Sequence, residues 1–506
     1  MRKAMFGDRP LAKCLIFIQA SAKYFHFGAS LPQSPLHCSR SHSHNIQLLQ
    51  AAAIREETVE SPVTSNALKR NTSIVLPPAL IITEEQFSEI IHRHNESENK
   101  PVSAAVFLLS DITLNRLPKT YPGFDLVFSN WLLMYLSDHE LRSLAEKMLG
   151  WLRPGGHLFF RESCFHQSGD SKRDFNPTHY RTPAHYNHLM TSVVLDESEK
   201  AEKKCCGFDI VLNKPVQTYV KMKKNQNQLC WILQKVRRDV AEQHQGGFST
   251  FQQFLDNQQY TRRGILLYEK MFGSGYVSTG GPSTTKEFVE MLNLTPGQKV
   301  LDVGCGIGGG DFHMAKTFGV EVLGMDLSSN MVEIAMERAD AEKLPLVQFE
   351  VSDATKRSFP DRTFDVVYSR DTILHIKDKV DLFRKFYSWL KPGGKLLISD
   401  YCCGEQPWSP AFQEYVSQRG YILFTPQRYG QFLKEVGFTN VQALDRTEQF
   451  IQVIKSELQR AEEIKQAFIQ EFSSEDYDII LKGWTEKLQR CETGDQRWGL
   501  FYAIKD

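Results

Sequence analysis

"VLDVGCGIGGGD", Val300 to Asp311, is the stretch that decides the fold of this chain. With Lys299 ahead of it, "KVLDVG" reads as a buried strand, because Val300, Leu301 and Val303 are apolar and glycines follow. "DFHMAKTFG" then reads as a helix closed by Gly319. "VEVLGMDLS" reads as the next strand and "SSNMVEIAMERADA" as the next helix. Strand–helix–strand–helix with short links implies a parallel sheet with right-handed crossovers. In such a sheet the ligand crevice lies at the carboxyl ends of the strands.

A lone GxGxxG pattern is a weak signal, and such turns often cradle a pyrophosphate. The context here narrows the choice. Asp326 ends the strand after the turn, about where a carboxylate binds ribose hydroxyls. Asp302 stands just before Gly304 at the mouth of the turn, where a pyrophosphate would meet like charge. No Gly-Lys-Ser/Thr follows to hold phosphates. S-adenosylmethionine satisfies these constraints, since it lacks phosphate and carries a sulfonium and an ammonium that a carboxylate attracts. Gly304, Gly306 and Gly308 let the backbone approach its amino-acid part. Asp353 and Ala354 follow a further strand, at a place where an adenine amino group can be read. "FDVVYSRD" is a fourth strand ending at Arg370 and Asp371, and "WLKPGGKLLISDY" is a helix end, a Pro-Gly-Gly turn and a fifth strand. The whole run resembles the class I methyltransferase fold, an α/β, Rossmann-like architecture.

At 506 residues the chain exceeds one ordinary core, and two domains plus extra segments are expected. Lys+Arg and Asp+Glu both number 60, so bulk charge points to neither nucleic acid nor an acidic membrane surface. No apolar run approaches the roughly 18–20 residues of a membrane-spanning helix; "CLIFI" near the start is far too short. The ten cysteines lack zinc-ligand spacing, so no metal is expected, and free thiols in a reducing, cytoplasmic setting are. Up to Asn45 the chain is rich in Lys, Arg, Ser and His, with Asp8 its one acid, which gives a mitochondrial alternative. Residues 1–100 form an atypical N-terminal segment, carrying the strand-like "SIVLPPALIIT" and the helical "TEEQFSEIIHRH".

"FDLVFSNWLLMYL" (Phe124–Leu136) aligns with "FDVVYSRDTILHI" (Phe364–Ile376), and "WLRPGGHLFFRES" (Trp151–Ser163) with "WLKPGGKLLISDY" (Trp389–Tyr401). The domain is duplicated. Residues 101–236 form a partial methyltransferase-like copy and 237–506 a complete one. The copies differ: Trp131 stands for Asp371 and Tyr135 for His375. No glycine occurs between Gly28 and Gly123, so the first copy lacks its cofactor turn.

"NQQYTRRGILLYEKMFGSGYVSTGG", "DVGCGIGGG", "YSRDTILHI", "EYVSQRGY", "DRTEQF" and "QRWGLF" together make the chain resemble the phosphoethanolamine N-methyltransferase family over nearly all of Gln252–Asp506, continuing through Phe124–Val236. The resemblance implies a small phosphobase substrate and phosphocholine as end product. It implies Tyr260 and His375 as a catalytic latch over the site. Asp371 stands four residues before His375, on the same face if that stretch is helical, where it can hold the amine or orient the imidazole. A histidine suits the chemistry, since an ammonium must lose a proton before it attacks. The resemblance adds Gln259, Val277, Ser278 and Arg370 to the cofactor set. Gln259 and Tyr260 also face the substrate, Tyr268 lies at its choline end, and Tyr401, Tyr415, Arg419, Tyr421 and Lys487 surround its phosphate. In the first copy, Ser163, Ser168, Gly169, Arg173 and Tyr180 fall where the family's N-terminal site contacts substrate. A self-contained monomer is expected. Two other readings remain at this point, a methyltransferase acting on a lipid or quinone and a non-enzymatic protein that binds S-adenosylmethionine.

Overall fold

Lys299–Val303 is buried along its length except at Lys299, as an apolar run in a central parallel strand requires. In a computed structural model, residues 14–19, 104–109, 123–167, 178–196, 204–239, 248 and 250–506 are described, and all of them lie in one compact unit. The stretches "SIVLPPALIIT" and "TEEQFSEIIHRH", with most of the basic N-terminal run, lie outside the described residues.

The strands are β1 (Cys14–Gln19), β2 (Ala104–Leu109), β3 (Phe124–Asn130), β4 (Leu152–Ser163), β5 (Val194–Asp196), β6 (Lys204–Pro215) and β7 (Gln228–Asp239) in the first half. The second half holds β8 (Lys299–Val303), β9 (Glu321–Asp326), β10 (Val347–Val351), β11 (Phe364–Arg370), β12 (Leu390–Cys403), β13 (Thr439–Asp445) and β14 (Gln496–Ile504). They form one sheet in the order β13-β14-β12-β11-β8-β9-β10-β6-β7-β4-β3-β1-β2, with β5 beside β6. The duplication is visible in that order: β13-β14-β12-β11-β8-β9 and β6-β7-β4-β3-β1-β2 match strand for strand. The two halves of the sheet join where β10 meets β6 antiparallel at Val351 and Asn213.

β1 is the "CLIFIQ" run. It pairs parallel with β3 in the register Leu15–Leu126 and Phe17–Phe128, as β8 pairs with β11 at Val300–Val366 and Asp302–Tyr368. Phe17 therefore holds the register position of Asp302. The first half has a strand where its glycine turn would begin, but with neither the acid nor the glycines.

The helices that matter for the site are α1 (Asp138–Trp151), α2 (Pro183–Thr191), α3 (Arg262–Phe272), α4 (Gly309–Phe318), α5 (Ser329–Glu342), α6 (Pro410–Arg419), α7 (Thr447–Glu463) and α8 (Ser474–Glu492). Their starts follow local chemistry. Ser137 and Glu140 form a capping box on α1, and Ser328 and Ser409 cap α5 and α6. One buried apolar cluster runs through both halves, from Phe124 and Trp231 to Phe349 and Trp498. Among the described residues, no helix is long and apolar enough to cross a membrane.

Candidate active site

The glycine turn leaves β8 with Gly304 at φ +86° and Gly306 at φ +54°, in the left-handed region that favours glycine. At Gly306 a Cβ would also stand 2.7 Å from Val277 Cγ2. The Gly306 amide donates to Asp326 Oδ2 (3.0 Å) and the Ser328 amide to Asp326 Oδ1 (2.9 Å), which fixes that carboxylate at the end of β9. Asp302 is only 4% exposed, and its Oδ1 has no hydrogen-bond partner among the described residues. Asp311, in the first turn of α4, is fully buried; among the described residues no donor reaches its carboxyl, which lies against that of Asp302. Burial raises the pKa of both carboxyls above the usual range. A buried carboxylate that turns an oxygen without a partner towards a cavity is suited to a cation, and the turn beside it leaves room for close backbone approach. These residues fit S-adenosylmethionine.

Beside the turn is a cavity of about 660 Å³. It is lined by Asp302, Gly304, Asp326, Asp353, Ala354, Arg370 and Asp371, by Gln259, Tyr260, Tyr268, Val277 and Ser278, and by His375, Tyr401, Tyr415, Arg419, Tyr421 and Lys487. The structure thus brings the second-half residues expected from the sequence to one cavity, except Gly308, which faces the Phe349 and Phe312 rings instead. Their individual arrangements differ from expectation in three places.

Asp371 lies at φ +50°, and Ile373–His375 is a single 3₁₀ turn rather than an α-helix. The i, i+4 face that would set Asp371 over His375 does not form. Asp371 instead accepts from the Thr279 amide (2.9 Å), the Trp498 indole (2.9 Å) and the Ser399 hydroxyl (3.2 Å). Arg370 gives its donors to Ser399 Oγ, Thr285 Oγ1, Thr284 Oγ1 and the Thr279 carbonyl. It braces the segment that carries Val277 and Ser278. Finally, His375 and Tyr260 share the cavity without a hydrogen bond between them. The Tyr260 hydroxyl accepts from Gln259 Nε2 (3.1 Å), and His375 Nδ1 has no partner among the described residues.

His375 is packed between the rings of Phe251 (5.8 Å between centroids) and Tyr421 (5.1 Å). Burial lowers its pKa to about 4, helped by Lys379 and Arg419, so the imidazole is neutral at physiological pH. Burial raises the pKa of the Tyr260 phenol, which stays protonated. Asp353 Oδ1 is engaged by Thr355 through its amide and hydroxyl.

At the acceptor end, Lys487 is 8% exposed and lies 4.1 Å from the Trp484 ring centroid and 5.7 Å from that of Tyr401. Burial lowers its pKa while Glu457 opposes that shift. Arg419 leaves the last turn of α6, and Tyr415 meets Tyr421 edge to face at 5.7 Å. Sequence reasoning missed Arg490, which also lines the cavity, 3.8 Å over the Tyr415 ring. Its spacing of one helical turn from Lys487 on α8 was the available signal.

In the first half, Ser163 accepts from Gln228 Nε2 and Tyr180 is half-buried, whereas Ser168, Gly169 and Arg173 lie outside the described residues. Trp131 takes the left-handed backbone of Asp371 (φ +49°), donates its indole N–H to Gln228 Oε1 (3.0 Å), and stacks under the Arg161 guanidinium at 4.2 Å.

A family model described as "Methyltransferase domain" matches residues 300–394. The chain is 55% identical to phosphoethanolamine N-methyltransferase 1 of Arabidopsis thaliana over 83% of each chain. It is 39% identical to phosphoethanolamine N-methyltransferase of Plasmodium falciparum over 50% of this chain and 96% of that one. Among solved structures, it resembles phosphoethanolamine N-methyltransferase 2 of Haemonchus contortus in complex with phosphomonomethylethanolamine and S-adenosylhomocysteine. The TM-score is 0.70 at 31% identity, covering 82% of this chain and 91% of the other.

Proposed function

The chain belongs to the phosphoethanolamine N-methyltransferase family and N-methylates phosphobases with S-adenosylmethionine as donor; on that premise we propose that residues 237–506 carry the reaction and that residues 101–236 do not bind the donor. The observation that carries this reading is one cavity lined both by Asp302, whose Oδ1 has no partner among the described residues, and by Arg419, Lys487 and Arg490. The cationic end suits a phosphate and disfavours an apolar lipid or quinone ring.

Bound S-adenosylmethionine supplies a methyl group on a positively charged sulfur. Asp302 holds the donor's ammonium, Asp326 its ribose hydroxyls, and Asp353 with Ala354 its adenine edge. Arg419 grips the substrate phosphate as a two-pronged donor, Lys487 and Arg490 add charge, and Tyr401, Tyr415 and Tyr421 supply phenolic O–H groups. Tyr268 presents an aromatic face to the methylated ammonium. His375, neutral at physiological pH, accepts the proton that frees the nitrogen lone pair. Its low pKa comes from burial and from two cations, and a bound phosphate offsets the Arg419 charge and raises the imidazole pKa towards neutral pH, which makes it a better base. Gln259 and Tyr260, on the segment ahead of α3, close over the reacting groups and exclude water. We assign Asp371 to holding Thr279 and Trp498 in place rather than to moving a proton.

Cys164, Cys205, Cys206, Cys230, Cys305, Cys402, Cys403 and Cys491 are free thiols, which supports a reducing, cytoplasmic setting. The test is methyl transfer from labelled S-adenosylmethionine to phosphoethanolamine and to its monomethyl and dimethyl derivatives, each offered separately. Turnover of the two methylated derivatives is expected, with phosphoethanolamine slower. Turnover of phosphoethanolamine that survives His375→Ala would place a second active site in the first half and overturn the assignment.

A further inference from the structure

The first half has no donor turn, yet its second helix reaches the segment that closes the second half's site. Asn187 of α2 is 4% exposed and spans the two halves. Its Oδ1 accepts from the Trp231 indole in the first-half core (2.7 Å), and its Nδ2 donates to Ser329 Oγ at the start of α5 (2.9 Å). Ser329 lies under the lid. Gln252 Nε2 donates to Ser329 Oγ (3.4 Å) and to the Leu327 carbonyl (2.8 Å). Gln253 Nε2 reaches back to the Thr191 carbonyl at the end of α2 (3.2 Å).

The lid is fixed to the same helix start from its own side. Asp256 accepts from Ser328 Oγ (2.7 Å) and the Ser329 amide (3.2 Å), where the helix dipole favours a carboxylate. Asn330 Nδ2 donates to the carbonyls of Asp256 (2.9 Å) and Tyr260 (2.8 Å). This second contact fixes the backbone of Tyr260 itself. Leu255–Gln259 is a π-helical turn, a geometry found mostly at functional sites.

A parallel tie holds the far end of the lid. Glu333 of α5 accepts from the Ala184 amide at the start of α2 through Oε2 (2.7 Å), and from Arg262 through Oε1 (3.0 Å). The lid is therefore fastened at both ends to α5, and α5 is fastened at both places to α2.

We propose that the incomplete first half is a platform that positions the lid of the second half, with Asn187 as the positioning residue that passes its support through Ser329 to Gln252, at the helix start whose next residue, Asn330, holds Tyr260. The proposal rests on the reading of Tyr260 as a lid residue over the methyl-transfer site. Asn187 touches no reacting atom. It acts by making the closed lid the favoured state, so its loss lowers turnover without removing a group that does chemistry.

The experiment uses the full chain with Asn187→Ala, Gln252→Ala and the double variant. Amide hydrogen exchange of peptides covering residues 250–262 is read with S-adenosylhomocysteine present, alongside kcat and KM for phosphomonomethylethanolamine. Each single variant is expected to raise lid exchange and lower kcat about fivefold, the equilibrium weight of one hydrogen bond. Exchange in β8 and β11 should stay as in the parent chain, and the double variant should match the worse single, because both act on one relay. Removal of Asn187 leaves the buried Trp231 N–H unpaired and could unfold the first half, whereas Gln252→Ala leaves that core untouched and keeps the question answerable. Unchanged lid exchange in Gln252→Ala and Asn187→Ala would overturn the proposal, as would effects that multiply in the double variant. Lid exchange is read without turnover, so a parent chain inactive on every phosphobase would refute the functional reading and leave this one to its own result.

Discussion

Replacing Asp302 by Asn tests the donor site at its most exposed assumption. Asp302 is 4% exposed, its Oδ1 has no partner among the described residues, and the buried Asp311 carboxyl, kept protonated by burial, lies within hydrogen-bonding reach of it. Burial raises the Asp302 pKa. The native state therefore binds a proton more tightly than the unfolded chain does. That contribution to stability is full below the unfolded value and is lost as pH rises through the native one. The Asn variant lacks that loss. Its ligand-free Tm at pH 7.5 should equal or exceed that of the parent, and the gap should close near pH 4. Binding moves the other way. The variant loses a charge-assisted hydrogen bond to the donor's ammonium, worth about 1.5–3 kcal/mol, or about 10- to 150-fold in Kd. Calorimetric titration with S-adenosylhomocysteine at pH 7.5 measures this, with differential scanning fluorimetry for the Tm. A Kd within twofold of the parent would refute the reading of Asp302 as the ammonium's partner. A Tm several degrees lower would show that Asp302 is a structural acid rather than a binding one.

Two other perturbations separate the proton acceptor from the phosphate clamp. His375→Ala should lower kcat about 10²- to 10⁴-fold while leaving S-adenosylhomocysteine affinity unchanged. NMR of labelled histidine in the parent chain should find His375 neutral down to about pH 4, with the midpoint rising when phosphocholine binds; a midpoint that stays put would remove the coupling to Arg419. Arg490→Met should raise the phosphobase KM about tenfold with kcat less affected, as expected for a charge-assisted contact to the phosphate. An unchanged KM would reduce Arg490 to a packing partner of Tyr415.

The glycine turn and the repeated Pro-Gly-Gly strands made the α/β fold and its duplication legible, because both depend on local backbone chemistry. β1 was not legible. "CLIFIQ" is a short apolar run whose partner β2 lies far along the chain, and neither periodicity nor a turn links them. The cavity's members could be read from motifs, but their bonds could not. Asp371 illustrates this: its spacing to His375 suggested a shared helix face, and a left-handed residue followed by a 3₁₀ turn removed that face. Asp256 escaped notice because it supports a helix to which it does not belong, and no sequence spacing records a cap supplied from elsewhere.

The two halves also differ in a way that alignment alone hides. In the second half Arg370 on β11 donates to Ser399 on β12, and Asp371 accepts from Trp498 on β14. Strand register places Asn130 and Arg161 at the first pair of positions, and Trp131 and Gln228 at the second. There the bonds run in reverse: Arg161 donates to Asn130, and Trp131 donates to Gln228. Each pair has kept its hydrogen bond while the cation and the indole changed strands. The exchange keeps the left-handed residue after the fourth strand braced in both halves, at φ +49° and +50°. It also changes what that residue presents, a carboxylate in one half and an indole stacked on a guanidinium in the other. The first half is thus not the second half's site with its glycine turn removed. A turn grafted after β1 would supply backbone for a donor but would leave Arg161 and Trp131 where the second half has Ser399 and Asp371. Its acceptor chemistry would remain its own.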